Sequence, residues 1–104
     1  RETDGLAMSS RNRNLTPEER AVAPFIFAEL TQAKTALAEG QAVETVKTVV
    51  ERHFAEKPAF RLEYFETADP TTLEPLTGQL AGRPAALCVA AFLGKVRLID
   101  NVLA

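Results

Sequence analysis

The chain has 104 residues, 46% hydrophobic and 25% charged, which is typical of one globular domain with a buried core. Its formal net charge of -2 gives no positive field over the whole molecule, so we expect no nucleic-acid partner. One cysteine and one histidine allow neither an internal disulfide nor a zinc site, which favours a reducing compartment. The apolar runs are shorter than a membrane span and no signal peptide is recognisable, so we predict a cytoplasmic protein without membrane contact.

Residues 4 to 14 read DGLAMSSRNRN and show neither strand alternation nor a helical period. The hydroxyls of Ser9 and Ser10, the guanidinium of Arg11 and exposed backbone amides are all groups that bind phosphate oxygens. A loop can direct several of them to one point. The same residue types are common in solvated linkers, and spacing alone favours the linker.

A helix is predicted to begin at Thr16, which caps it, with Pro17 at the first helical position and Glu19 completing a capping box. Gly40 offers the left-handed residue that ends a helix. Pro24 interrupts this segment, so we expect either a kink or a short helix followed by a long one. The apolar face is predicted to comprise Val22, Ile26, Leu30, Ala33 and Leu37.

A second helix is predicted from about Val43 to Glu56. Its exposed face carries Glu44, Lys47 and Glu51 at spacings that allow ion pairs along the helix. Its apolar face comprises Val43, Val46, Val49, Val50 and Phe54.

The last part of the chain shows strand patterns. Alternation over residues 60–64 predicts a strand with Phe60, Leu62 and Tyr64 on one buried face. The nearly continuous apolar run 85–93 suits a central strand, and a two-residue hairpin at 94–95 leads into a strand over 96–99. Helices followed by a block of strands predict an α+β fold, with two main helices packed on a small three-stranded antiparallel sheet.

Four other polar residues are candidates for a site. His53 borders an apolar helix face and has no visible partner, which favours packing or surface exposure over catalysis. Cys88 lies inside an apolar strand, where an inert buried thiol is usual. Asp100 and Asn101 are predicted to bond backbone groups at a strand end.

The run Asp4 to Asn12, followed by Leu15 and the helix start at residues 17–20, resembles the ATP-binding loop of the pantothenate synthetases, or pantoate-β-alanine ligases. The similarity continues through residues 60–64, 69–76 and 94–101, the last reading GKVRLIDN, and so covers the whole chain. The match is to the C-terminal domain of that family.

The resemblance implies that residues 1–15 are the ATP phosphate-binding loop and its connection, and that residues 16–104 are the C-terminal lid domain. Met8, Ser9, Ser10 and Arg11 would border the ATP, with the hydroxyls and the guanidinium on the phosphates and with a catalytic role for Arg11. ATP is then a substrate, and Mg²⁺ is bound mainly with the nucleotide and by an N-terminal domain.

The implied reaction joins pantoate and β-alanine through a pantoyl adenylate, releasing pyrophosphate and then AMP. The implied partners are these substrates, the N-terminal nucleotide-binding domain of the same chain and, in the full-length enzyme, a second copy. Because the chain starts at Arg1 without an initiator methionine, we expect a fragment. A lid without the N-terminal domain is expected to be inactive, because the groups that hold adenine, pantoate and Mg²⁺ would lie in that domain. Residues 1–14 are expected to be mobile, since their contacts would be with ATP and the other domain.

Two alternatives belong to other functional classes. The chain could be a stand-alone binding or interaction module whose Ser-Arg loop recognises a phosphorylated ligand without catalysis. It could also be an oligomerisation unit, which ranks last because in the family that it resembles the dimer contact belongs mainly to the other domain.

Overall fold

The structure, a computed structural model, describes all 104 residues and contains a 3₁₀ turn at Ser10–Asn14, then three α-helices and three strands. The helices are α1 (Pro17–Val22), α2 (Phe25–Ala38) and α3 (Val43–Ala55), and the strands are β1 (Phe60–Ala68), β2 (Ala86–Leu93) and β3 (Val96–Leu103). The strands form one antiparallel sheet with β2 in the centre, and the two longer helices pack against it. The α+β prediction is confirmed. None of the helices has the length and apolar character needed to cross a membrane.

The first predicted helix is divided at Pro24. Its start carries both capping-box bonds: the Thr16 amide donates to Glu19 Oε1 at 2.9 Å, and the Glu19 amide donates to Thr16 Oγ1 at 3.1 Å. Since α1 ends at Val22 and α2 begins after Pro24, the prediction of a short helix followed by a long one is confirmed. The break also shifts the helical phase, so Val22 is 43% exposed and Ala23 is buried in its place.

Strand β1 contains a bulge that the alternation did not predict. Its pairing with β2 shifts between Leu62 and Tyr64, so Glu63 is an extra residue without a partner in the register. After the bulge the two faces exchange, and Tyr64 is 38% exposed whereas Phe65 is 1% exposed. The prediction holds for Phe60 but is wrong for Tyr64, because one inserted residue reverses every later side chain.

An aromatic cluster joins the helices to the sheet. Phe54 of α3 meets Phe25 of α2 edge-on, with ring centroids 4.9 Å apart, and meets Phe60 of β1 at 5.6 Å. Phe54 is almost completely buried and belongs to a core of 21 residues that extends from Leu6 to Leu98. The segment before α1 therefore shares the core of the domain.

Glu44 connects the start of α3 to the loop between β1 and β2. Both of its carboxylate oxygens accept from the Gly78 amide, at 3.0 and 3.2 Å. Lys47 pairs instead with Glu66 of β1 at 2.9 Å, so the predicted ion pairs among Glu44, Lys47 and Glu51 do not form.

Two hydrogen bonds lower the pKa of Glu44 from its ordinary value of 4.5: the bond from the Gly78 amide has the larger effect, and the bond from its own amide the smaller. Bonds from the amides of Thr72 and Thr71 likewise lower the pKa of Asp69 from 3.8.

We expect these carboxylates to make the domain acid-sensitive. A folded-state pKa below the unfolded value contributes stability that is complete above about pH 4.5 and is lost as the pH falls through the folded pKa. Thermal melts should therefore be steady near neutral pH and fall below about pH 4.5. Glu44→Gln should melt lower at neutral pH and lose less on acidification, while Glu51→Gln, on an exposed position of the same helix, should follow the parent chain. Parallel acid profiles for Glu44→Gln and the parent would contradict this prediction.

Candidate phosphate-binding loop

The four predicted ATP-contacting residues lie together on one loop that ends in a 3₁₀ turn at Ser10–Asn14. Ser9 caps this turn: its Oγ accepts from the Arg11 amide at 3.1 Å, and its carbonyl accepts from the Asn12 amide at 3.1 Å. The Asn12 side-chain amide donates to the Ala7 carbonyl at 3.0 Å, closing the loop on itself. Asn12 therefore shapes the loop.

The side chains on this loop remain free to contact a ligand. Met8 is 68% exposed, and Ser9, Ser10 and Arg11 are all exposed. The Arg11 guanidinium takes part in no ion pair, and the Ser10 hydroxyl forms no hydrogen bond within the chain. Because Ser9 Oγ is engaged only as an acceptor, its hydrogen can still be donated. The loop thus offers two hydroxyls and two unpaired guanidinium groups, those of Arg11 and Arg13, on the surface.

A cavity of about 240 Å³ separates this loop from β3. Ser9 and Arg11 line it on the loop side, and Arg97 and Asp100 line it on the strand side. Arg97 is held by Glu63, whose Oε2 lies 2.7 Å from the Arg97 Nη2, and this bond lowers the pKa of Glu63. Arg11 is therefore the unpaired guanidinium of this cavity.

The base of the loop is attached to the domain. Leu6 is 3% exposed within the core, and Asp4 accepts from both Arg20 nitrogens, at 2.7 and 3.3 Å, which lowers the pKa of Asp4. Gly5 has φ +96°, a conformation that favours glycine, and a Cβ there would collide with the Phe27 ring. The mobility of residues 1–14 stays a prediction, although its premise, contacts with ATP and the other domain, does not describe residues 1–6, which contact the rest of this domain. Their anchors are side chains far away in sequence, which no local pattern reveals.

Asp100 has a partner that the sequence did not indicate. Its Oδ1 accepts from the following Asn101 amide at 2.7 Å, so the predicted backbone bond is present, but the predicted strand end is wrong because β3 continues to Leu103. Both of its oxygens also accept from the guanidinium of Arg1, 99 residues away. The position of Asp100 after an apolar run could have indicated a cationic partner, because a buried carboxylate requires a cation or several hydrogen-bond donors.

The other two candidates lie away from the loop. His53 Nδ1 lies 2.7 Å from Oε1 of the buried Glu29, so it has a partner on α2 and serves to join two helices. Burial raises the pKa of the Cys88 thiol, which disfavours the reactive thiolate. No group of three or more His, Cys, Asp or Glu side chains lies close enough together to hold a metal ion.

Comparison with known proteins identifies the family of this chain. The family model described as pantoate-beta-alanine ligase matches residues 1–103. The chain belongs to the pantoate-β-alanine ligase family. The pantothenate synthetase of Desulfovibrio desulfuricans is 47% identical over 105 residues, which cover 99% of this chain and 36% of that protein.

Solved structures of pantothenate synthetases have the same fold. A crystal structure of the enzyme from Thermus thermophilus superposes with a TM-score of 0.86 at 38% identity, covering 98% of this chain and 36% of that one. The pantoate-β-alanine ligase of Francisella tularensis has a TM-score of 0.60 at 26% identity, covering 99% and 30% respectively. The chain thus spans about a third of the length of these relatives.

Proposed function

We propose that this chain is the C-terminal, phosphate-binding part of a cytoplasmic ligase that joins pantoate and β-alanine at the expense of ATP. Residues 16–104 form the lid, and Met8, Ser9, Ser10 and Arg11 contact the nucleotide. The observation that carries the proposal is the free donor set of the loop, above all the unpaired Arg11 guanidinium, in a member of this family. In support, the Francisella tularensis ligase was crystallised as a complex with β,γ-ATP and β-alanine.

In the first step a carboxylate oxygen of pantoate attacks the α-phosphorus of ATP. The bond from that phosphorus to the bridging oxygen of the β-phosphate breaks, giving pantoyl adenylate and pyrophosphate. Negative charge gathers on the departing pyrophosphate, so a fixed guanidinium there stabilises the transition state more than the ground state. Arg11 is assigned to this charge, and the hydroxyls of Ser9 and Ser10 donate to phosphate oxygens beside it.

In the second step the amine of β-alanine attacks the acyl carbon of pantoyl adenylate. A carbon–nitrogen bond forms, the acyl carbon–oxygen bond breaks, AMP leaves with the electron pair, and the amine loses its proton to solvent. No pyrophosphate is present in this step. The loop therefore acts chiefly in the first step.

The family resemblance implies Mg²⁺ bound with the nucleotide, where it would neutralise phosphate charge. The side chains of this chain do not fit a protein-held metal, because no cluster of metal-ligating residues is present. We assign no metal ligand here, and neither half-reaction depends on a residue of this chain holding one.

The proposal predicts that the intact enzyme makes pantothenate and that this chain alone does not. Adenine, pantoate and metal contacts would come from the other two-thirds of the enzyme, and correct placement of the reactants is essential for the rate. The measurement is pantothenate formed from pantoate, β-alanine, ATP and Mg²⁺ by each protein, against a blank purified in parallel. Pantothenate formed by the chain alone would contradict the assignment of the adenine, pantoate and metal contacts to the rest of the enzyme. A full-length protein that binds ATP without turnover would favour the binding-module alternative.

A further inference from the structure

Arg1 forms a two-bonded ion pair with the buried Asp100 of β3. Arg1 Nη1 lies 2.6 Å from Asp100 Oδ2, and Arg1 Nη2 lies 2.7 Å from Asp100 Oδ1, a two-bonded fork. The Asp100 side chain is 6% exposed and the Arg1 side chain 31%. An ion pair with one partner this buried depends strongly on keeping both members, because a lone buried carboxylate is costly.

The same guanidinium also holds the loop and α2. Arg1 Nη1 donates to the Gly5 carbonyl at 2.9 Å, and Nη2 donates to the Asn101 carbonyl at 3.1 Å. Its central carbon lies 4.0 Å from the centre of the Phe27 ring. The hydrogen bonds to Asp100 raise the pKa of Arg1 above its ordinary value, and the negative charge of Asp100 adds a smaller increase. One planar group thus connects β3, α2 and the backbone at the base of the loop.

Gly5 is the residue through which this arrangement reaches the phosphate-binding loop. Its carbonyl is held by Arg1 and its Cα lies against Phe27, with the positive φ that directs the chain into buried Leu6. Met8 and Ser9 follow within four residues. A shift of Gly5 would therefore displace the donors of the loop.

We propose that Asp100 is a positioning residue for adenylation: through Arg1 it fixes Gly5, and so places Ser9, Ser10 and Arg11 at the ATP phosphates. This inference rests on the proposed function. Asp100 itself also lines the cavity beside Arg11, but its negative charge is neutralised by Arg1 and does not oppose phosphate binding.

The test uses Asp100→Asn and Arg1→Gln in the intact enzyme, since either removes the ion pair. Each should slow adenylate formation by roughly 10- to 100-fold, the cost of a small misplacement of catalytic groups. Attack of β-alanine on supplied pantoyl adenylate should change little, which also shows that the variants are folded. The double variant should be no slower than the worse single one, because both changes break one interaction. Glu66→Gln, which breaks the exposed pair with Lys47, is the matched control and should leave both steps unchanged.

Amide exchange separates this inference from the proposed function. Exchange at residues 2–6 and 9–12 should accelerate in Asp100→Asn and Arg1→Gln, but not in Glu66→Gln, whatever reaction the enzyme catalyses. Unchanged exchange in the two variants would overturn the inference. The inference would also be overturned if the two substitutions slowed adenylate formation additively in the double variant. Equal slowing of both half-reactions by either single variant would overturn it too. A wild-type enzyme that makes no pantothenate would reject the proposed function. Accelerated exchange in Asp100→Asn and Arg1→Gln would even then establish that the Arg1–Asp100 pair holds the base of the loop.

Discussion

Replacing Arg11 by alanine in the intact enzyme should slow formation of pantoyl adenylate by roughly 10²- to 10³-fold, the usual cost of removing one transition-state donor. Arg11 is exposed and unpaired, so its loss breaks no ion pair within the domain. The second half-reaction, started from supplied pantoyl adenylate, should keep nearly its full rate because no pyrophosphate leaves. Pre-steady-state measurement of both steps makes the comparison.

Two variants define the role of Arg11 further. Arg11→Lys keeps the charge but loses the planar fork, so partial rescue indicates a mainly Coulombic role and no rescue indicates two-bonded recognition. Arg13→Ala removes another exposed arginine from the same 3₁₀ turn and should leave adenylation nearly unchanged. Equal slowing of both steps by Arg11→Ala would reject the leaving-group role and would make Arg11 an organiser of the closed lid.

The largest effect on stability is expected for Phe54→Ala. Phe54 is 2% exposed and contacts the rings of both Phe25 and Phe60, so its removal leaves a cavity where α2, α3 and β1 meet. The expected loss is about 3–5 kcal/mol, a large part of the stability of a small domain. The melting temperature of the chain should fall by roughly 15 °C or more.

Tyr64→Ala is the matched aromatic control. Tyr64 lies on the outer face of the sheet and is 38% exposed, so its truncation should cost about 1 kcal/mol or less. The measurement is thermal or denaturant unfolding of the three proteins side by side. A loss for Phe54→Ala no greater than that for Tyr64→Ala would mean that the aromatic cluster is not a centre of stability.

Local signals predicted much of this fold. The capping box of Thr16 and Glu19, the break at Pro24 and the hairpin at 94–95 each depend on residues a few positions apart, and all three are present. The loop residues Ser9, Ser10 and Arg11 could be selected because their chemistry suits phosphate and because their setting resembles a known family. Their contact with ATP remains a prediction.

The features that sequence reasoning missed depend on distant partners. The outward turn of Tyr64 follows from a bulge that is defined by pairing with β2, and strand alternation contains no information about that pairing. The Glu29–His53 contact needs α2 and α3 to be packed before the two side chains meet. The Arg1–Asp100 pair is the extreme case, because its members stand 99 residues apart.

Because of that separation, the ribosome synthesises Arg1 and the loop well before Asp100. Translation at about 5–20 residues per second takes roughly 5 to 20 s to pass from Arg1 to Asp100. Throughout that interval the nascent chain already carries Ser9, Ser10 and Arg11 but not the carboxylate that holds their base. In ribosome-bound or prematurely terminated chains, this loop should therefore lack the Arg1–Asp100 ion pair that holds its base. Under the proposed function, ATP binding by this loop is therefore expected to require synthesis of the last strand.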